Sequence, residues 1–226
     1  MPQLLFSKAG IATQILMDSV LIDIGDGTLR DLLSESHDLC SIDIIAITHG
    51  HYDHVGGLFS VLGYMRMLGR EDPLKILHPG SPEVETIVSG FKTVYRDSLP
   101  FVIELIPVKD HDALSFNTTT IQSIFVVHAG STAQGILPPI PATGYRITAG
   151  GKTYAVTGDS TMCDALEELV SGADFAFIEA TWTPERKAIL TEKYGDIEES
   201  MLSVHLSQDQ AHALGALAKE YMLIHT

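Results

Sequence analysis

The stretch THGHYDH, residues 48–54, follows the apolar run IDIIAIT (42–48) and precedes VGGLFSVLGYMRML (55–68). The apolar run has the length and β-branched content of a buried strand, and Leu58, Val61, Leu62 and Met65 recur at helical spacing. Alternation along an extended chain puts His49 and His51 on one side, and the turn into the helix brings Asp53 and His54 back towards them. A lone histidine is most often a core residue with a satisfied ring. Three histidines and one aspartate within six residues are a metal-ligand cluster, and imidazole with carboxylate suits zinc, with manganese or iron as alternatives.

On either side of this stretch, short apolar runs alternate with turn signals. PQLLFSK (2–8), ATQILMDS (12–19) and VLIDIGDGT (20–28) read as strands, and TLRDLLSES (28–36) as the first helix. Beyond the motif, KILHPG (75–80) is a strand end, SPEVETIVSGF (81–91) a helix, and FVIELIPV, TTTIQSIFVV, GYRITAG and KTYAVTGD are strands. MCDALEELVSG (162–172) reads as a helix, DFAFIEATW (174–182) as a strand, and SQDQAHALGALAKEY (207–221) as a final amphipathic helix. The segment AGSTAQGILPPIPATG (129–144) carries three prolines and reads as a stiff non-helical loop lining the way to the site. Strands and helices mixed in both halves predict an α/β sandwich, two packed sheets with helices outside, in a single domain over 1–226.

Composition narrows the partners. The chain has 226 residues, 45% of them hydrophobic, and 29 acidic against 14 basic residues give a formal charge of −15. That balance predicts against extended nucleic-acid binding, because a broad cationic surface is missing, and leaves any anionic substrate to be held locally. Two distant cysteines form no CxxC pair, so neither a disulfide framework nor a thiolate metal site is indicated. The opening MPQLLFSKAG has no basic leader and no run spans a bilayer, so a cytoplasmic protein without a membrane segment is expected; a homodimer is compatible with the sequence.

One segment supplies too few ligands for two metals. His128 after SIFVV, Asp159 after TYAVTG and His225 after YMLI repeat one context, an apolar strand ending in a ligand-type residue. His37, His78, His111 and His212 lie in helical or turn-like stretches that no strand aims at this cluster.

DIGDGT, THGHYDHVGG, VVHAG, VTGDS, IEATW, HLSQDQA and LIHT, in this order, resemble the metallo-β-lactamase fold hydrolases with their HxHxDH motif, and most closely the ribonuclease Z-like branch. The resemblance implies a four-layer αββα sandwich. It places His49, His51 and His128 on one divalent metal, Asp53, His54 and His225 on a second, and Asp159 between them. It further implies a metal-dependent hydrolase, a phosphodiesterase whose metal-bridging hydroxide attacks a small or accessible phosphodiester, with ester, thioester and lactone hydrolysis or a catalytically silent binding role as alternatives. Asp53, His205 and Glu179 form the implied catalytic set, with a His205–Glu179 hydrogen bond orienting the ring as general acid. The branch members that mature transfer RNA carry a protruding substrate arm between the His128-like and His205-like positions. Nothing resembling it stands here, so the expected substrate is a small molecule or short phosphodiester and not folded transfer RNA.

Overall fold

The computed structural model describes residues 2–132 and 134–226. Contacts divide the chain into two compact units that meet in sequence at Val108 and Lys109.

The first unit is built on a six-stranded sheet whose strands follow chain order: β1 (Gln3–Lys8), β2 (Ala12–Met17), β3 (Val20–Ile22), β4 (Ile44–Ala46), β5 (Leu74–His78) and β6 (Ile103–Pro107). β1 to β3 are antiparallel, and β3 to β6 are parallel. Parallel strands are covered by helices and therefore read as unbroken apolar runs, which is why IDIIAIT is legible as a strand. The helices are α1 (Thr28–Ser34), α2 (Tyr52–Val55), α3 (Leu58–Met67) and α4 (Pro82–Val94). The core joins Leu21, Ile45 and Ile76 of the sheet to Leu58, Val61, Leu62 and Met65 of α3 and to Val84, Val88 and Phe91 of α4. Arg70, buried after α3, donates to the carbonyls of Cys40, Ile42, Asp72 and Pro73 and so fixes the entry to β4.

The second unit holds another six-stranded sheet, in the order β14 (Tyr221–Ile224), β13 (Phe175–Glu179), β12 (Lys152–Val156), β11 (Thr143–Ala149), β8 (Thr119–Phe125) and β7 (Ala113–Phe116). β12, β13 and β14 are parallel and the others antiparallel. Gly150 and Gly151, both at positive φ (58° and 76°), make the two-residue turn between β11 and β12. Helices α5 (Asp164–Val170) and α8 (Gln208–Gly215) supply Leu166, Leu169, Ala211 and Leu214 to a core with Ala155, Ala176 and Ile178. Ser207 and Gln210 close a reciprocal capping box at the start of α8.

Three regions differ from the sequence reading. The proline-bearing loop is a two-stranded hairpin, β9 (His128–Thr132) with β10 (Gly135–Ile140), in which Pro139 lies opposite Ala129 and Ile140 opposite His128; residue 133, within the expected loop, lies outside the described residues. Pro138 and Pro139 are tolerated because β10 is paired on one side only and its register shifts between Ile136 and Pro139. Two further helices, α6 (Pro184–Tyr194) and α7 (Glu198–Leu202), follow the strand that ends in Glu179. The last helix stops at Gly215, six residues before the reading had it end, because β14 begins at Tyr221. Among the described residues no helix is long and apolar enough to cross a membrane.

Candidate metal centre

In the first unit, β4 delivers the chain to Thr48 and His49, and His51 caps α2 in an extended conformation (φ −66°, ψ 150°). The expected convergence is present: His49 Nε2 stands 3.0 Å from His51 Nδ1, and the His49 and His54 rings have centroids 4.0 Å apart. His49, Asp53 and His54 are buried. Gly10 N–H donates to Asp53 Oδ2 at 2.9 Å, so the turn between β1 and β2 holds this carboxylate.

Asp23 organises the motif from beneath, and the sequence reading passed over it. Fully buried at the end of β3 and at positive φ (54°), it accepts from the Thr48 N–H at 2.8 Å and from the Thr48 hydroxyl, and lies 2.7 Å from His54 Nδ1. A neutral His54 that donates Nδ1–H to Asp23 presents Nε2 as its ligand atom, the usual carboxylate–imidazole support of a metal-binding histidine. Thr48 Oγ1 also lies 3.1 Å from His49 Nδ1. No repeat marks Asp23: where LIDIGDGT and YAVTGDST match, Asp26 stands opposite Asp159 and Asp23 opposite Val156, so its role shows only in the folded contacts.

In the second unit, the parallel strands β12, β13 and β14 end side by side, and from those ends come Asp159, Glu179 and His225. Asp159 Oδ1 lies 3.4 Å from His225 Nδ1 and Oδ2 lies 3.8 Å from His205 Nδ1, and one ligand atom from each of these three residues falls within 4.8 Å of the others. His128, the first residue of β9, donates Nδ1–H to the Val204 carbonyl at 2.9 Å, which turns its Nε2 to within 4.0 Å of Asp159 Oδ2. His225 adopts positive φ (57°) and lies 2.8 Å from the Thr181 hydroxyl through Nδ1.

Glu179 is fully buried and accepts from three backbone N–H groups, those of Ser160 (3.2 Å), Thr181 (2.8 Å) and Leu206 (2.9 Å). Each belongs to a segment that carries a site residue: Asp159 before Ser160, His205 before Leu206, and Thr181 against His225. The expected His205–Glu179 contact is present at 3.3 Å. Burial, the largest single influence, pushes the His205 ring down, but the charge of Glu179, its hydrogen bond and Asp159 together outweigh it and hold the ring above the ordinary imidazole value.

This chemistry fits a divalent cation: imidazoles and carboxylates, most of them buried, whose other ring atoms are engaged by Asp23, Thr48, Val204 or Thr181, are what such an ion requires of its ligands.

These strand-end His and Asp residues and the HxHxDH segment fit a hydrolase of the metallo-β-lactamase type. The chain belongs to the beta-lactamase superfamily domain family, whose model matches residues 14–226. It is similar to a protein named ribonuclease Z from Bradyrhizobium sp. (strain ORS 278), 26% identical over 92% of this chain and 79% of the relative. A ribonuclease Z of Bradyrhizobium diazoefficiens is 28% identical over 95% of this chain and 79% of its own length. Among solved structures, the short form of human tRNase Z superposes with a TM-score of 0.75 at 19% identity, covering 99% of this chain and 92% of that one. The protein is thus a metal-dependent hydrolase of ribonuclease Z-like sequence and metallo-β-lactamase fold.

These relatives correct one expectation. The acidic balance and the missing arm predicted against extended nucleic-acid binding, yet relatives aligned over more than nine-tenths of the chain are named ribonucleases and the structural neighbour a tRNase. A net charge sums the whole surface, whereas phosphate is engaged by the few groups that reach it. The count of 14 basic residues therefore does not exclude an RNA partner.

Proposed function

We propose that the protein is a dinuclear metal-dependent phosphodiesterase that cleaves an accessible phosphodiester of RNA, with both units forming one catalytic domain. The two donor sets carry this reading, and the family model that runs through both units supports joining them. On this reading His49, His51 and His128 hold one ion, Asp53, His54 and His225 the other, and Asp159 serves both, with zinc favoured by the imidazole-rich set. When bound, such ions lower the pKa of water and neutralise charge developing on a phosphoryl oxygen.

The protein's own groups supply the rest. Asp23 and the Val204 carbonyl fix the tautomers of His54 and His128. Glu179 anchors the segments on which Asp159 and His205 sit and orients the His205 ring, whose proton is given to the leaving oxygen. Asp53 completes the catalytic set.

Elemental analysis joined to a hydrolysis screen tests this. Two ions per chain are expected, with hydrolysis of bis(p-nitrophenyl) phosphate and of RNA lost on chelation and restored by zinc or manganese. A replete sample with no more than one ion per chain, or turnover confined to thioester or lactone probes, would overturn it.

A further inference from the structure

Within the second unit a cavity of about 420 Å³ opens beside His205. Its walls come from the hairpin, through Thr132 and Ile136, and from α6 and the turn after it, through Arg186, Leu190 and Tyr194. Its volume lies in the range of small-ligand sites and suits one nucleotide, not several. In a chain with 29 acidic residues, no Asp or Glu lines it among the described residues. Its titratable groups are the Arg186 guanidinium and the His205 ring, and its remaining walls are apolar or hydroxyl-bearing.

Arg186 is the unusual member. Its Nε–H is buried and has no hydrogen-bond partner among the described residues. A guanidinium N–H withdrawn from water and left unpaired is costly, and its planar fork matches phosphate geometry. The residue sits in the first turn of α6, whose start is already capped by the Thr183 hydroxyl accepting from the Arg186 backbone N–H, so the side chain is not needed for helix initiation. Tyr194 and Leu190 lie further along the same helix and offer an aromatic and an aliphatic face, the kind of surface on which bases stack.

We propose that this cavity is a subsite for the nucleotide next to the bond that is cut, with Arg186 holding that nucleotide's phosphate and Tyr194 and Leu190 its base. The subsite rests on the phosphodiesterase reading for its place in the reaction. The binding chemistry itself is separable from that reading: an anion on Arg186 and a planar ring on the apolar wall.

Calorimetric titration of the metal-replete protein with adenosine 5′-monophosphate, adenosine and inorganic phosphate tests the binding, and steady-state kinetics test its use. Loss of a charge-assisted hydrogen bond should weaken adenosine 5′-monophosphate binding by about tenfold or more in Arg186→Gln, with Arg186→Lys intermediate. Inorganic phosphate, which the metal centre can take without the cavity, should bind wild type and Arg186→Gln alike. Leu190→Trp, which fills the apolar side and leaves Arg186 in place, should also weaken the nucleotide. With a dinucleotide substrate Arg186→Gln should raise KM, and Arg186→Lys should raise it less. Equal nucleotide affinity in wild type and Arg186→Gln, or unchanged affinity in Leu190→Trp, would overturn the subsite. Absence of all phosphodiester hydrolysis alongside Arg186-dependent nucleotide binding would overturn the phosphodiesterase reading and leave the nucleotide site standing.

Discussion

Glu179 meets its backbone donors with both carboxyl oxygens: Oε1 takes Ser160 and Leu206, and Oε2 takes Thr181. An amide at this position offers one acceptor oxygen, so in either orientation of Glu179→Gln at least one buried N–H faces an NH2 group. We expect that variant to lose about 1–3 kcal/mol of stability by denaturant unfolding, the usual cost of an unsatisfied buried donor. An unchanged unfolding midpoint would show that these bonds do not anchor the three segments. His78, the last residue of β5, makes a different prediction. It is fully buried, its Nδ1 accepts the Ser81 N–H at 3.1 Å, and burial, only partly opposed by Glu85, pushes its pKa below the ordinary value. The unfolded chain therefore takes up this proton near pH 6.5 and the folded chain only at lower pH. The stability it contributes is present above about pH 6.5 and is lost as pH falls through the depressed folded value. Urea midpoints compared at pH 7.5 and 5.5 should fall less for His78→Asn than for wild type, and an equal fall would remove His78 as the cause. At this scale the sequence showed the residues whose role is written in neighbouring positions, as in the six contiguous residues 49–54. It hid Asp23 and Thr181, whose partners lie 31 and 44 positions away.

An element is legible from sequence when burial imposes a period on it. The helices α3, α4 and α5 carry such a pattern, since each buries three or more residues, and β2, β3 and β4 read as apolar runs because every residue in them is buried. Helix α6 buries none, so no apolar stripe announces it, and its only sequence mark is the Thr183–Pro184 start. The hairpin of β9 and β10 was hidden for a related reason: residues 135–139 are all exposed, and adjacent prolines read as a break. Where two elements approach closely, the sequence mark is a glycine whose reason only the structure supplies. Gly144 in β11 faces Leu169 of α5, and a Cβ there would fall inside the Leu169 side chain and 3.0 Å from the Val156 carbonyl oxygen. Gly144→Ala should therefore push α5 off the sheet at a cost of about 1–3 kcal/mol. Gly90→Ala, in the middle of α4 with open space around it, is the matching control and should stabilise by several tenths of a kcal/mol. Equal midpoints for the two variants would contradict the packing argument.

For the whole molecule the dominant quantity is the formal charge of −15, which misled as a guide to partners but still governs approach. On the proposed function, an acidic protein meeting RNA experiences long-range repulsion, while productive contact would depend on short-range groups, the proposed metal centre and Arg186. The two act over different distances and salt separates them. The Debye length is about 30 Å at 0.01 M ionic strength and about 8 Å at 0.15 M, so moderate salt removes most of the repulsion before it weakens contacts made at hydrogen-bond distance. A basic RNA-binding protein behaves oppositely, because it gains affinity by releasing counterions and loses it steadily as salt rises. We therefore expect kcat/KM on an RNA substrate to rise between about 10 and 150 mM monovalent salt at fixed metal concentration. A small phosphodiester carrying one charge should show a much weaker rise, since it feels the same field with a single charge. A steep fall of log kcat/KM against log salt over that range would mean that a local cationic surface, not the net charge, governs encounter with RNA.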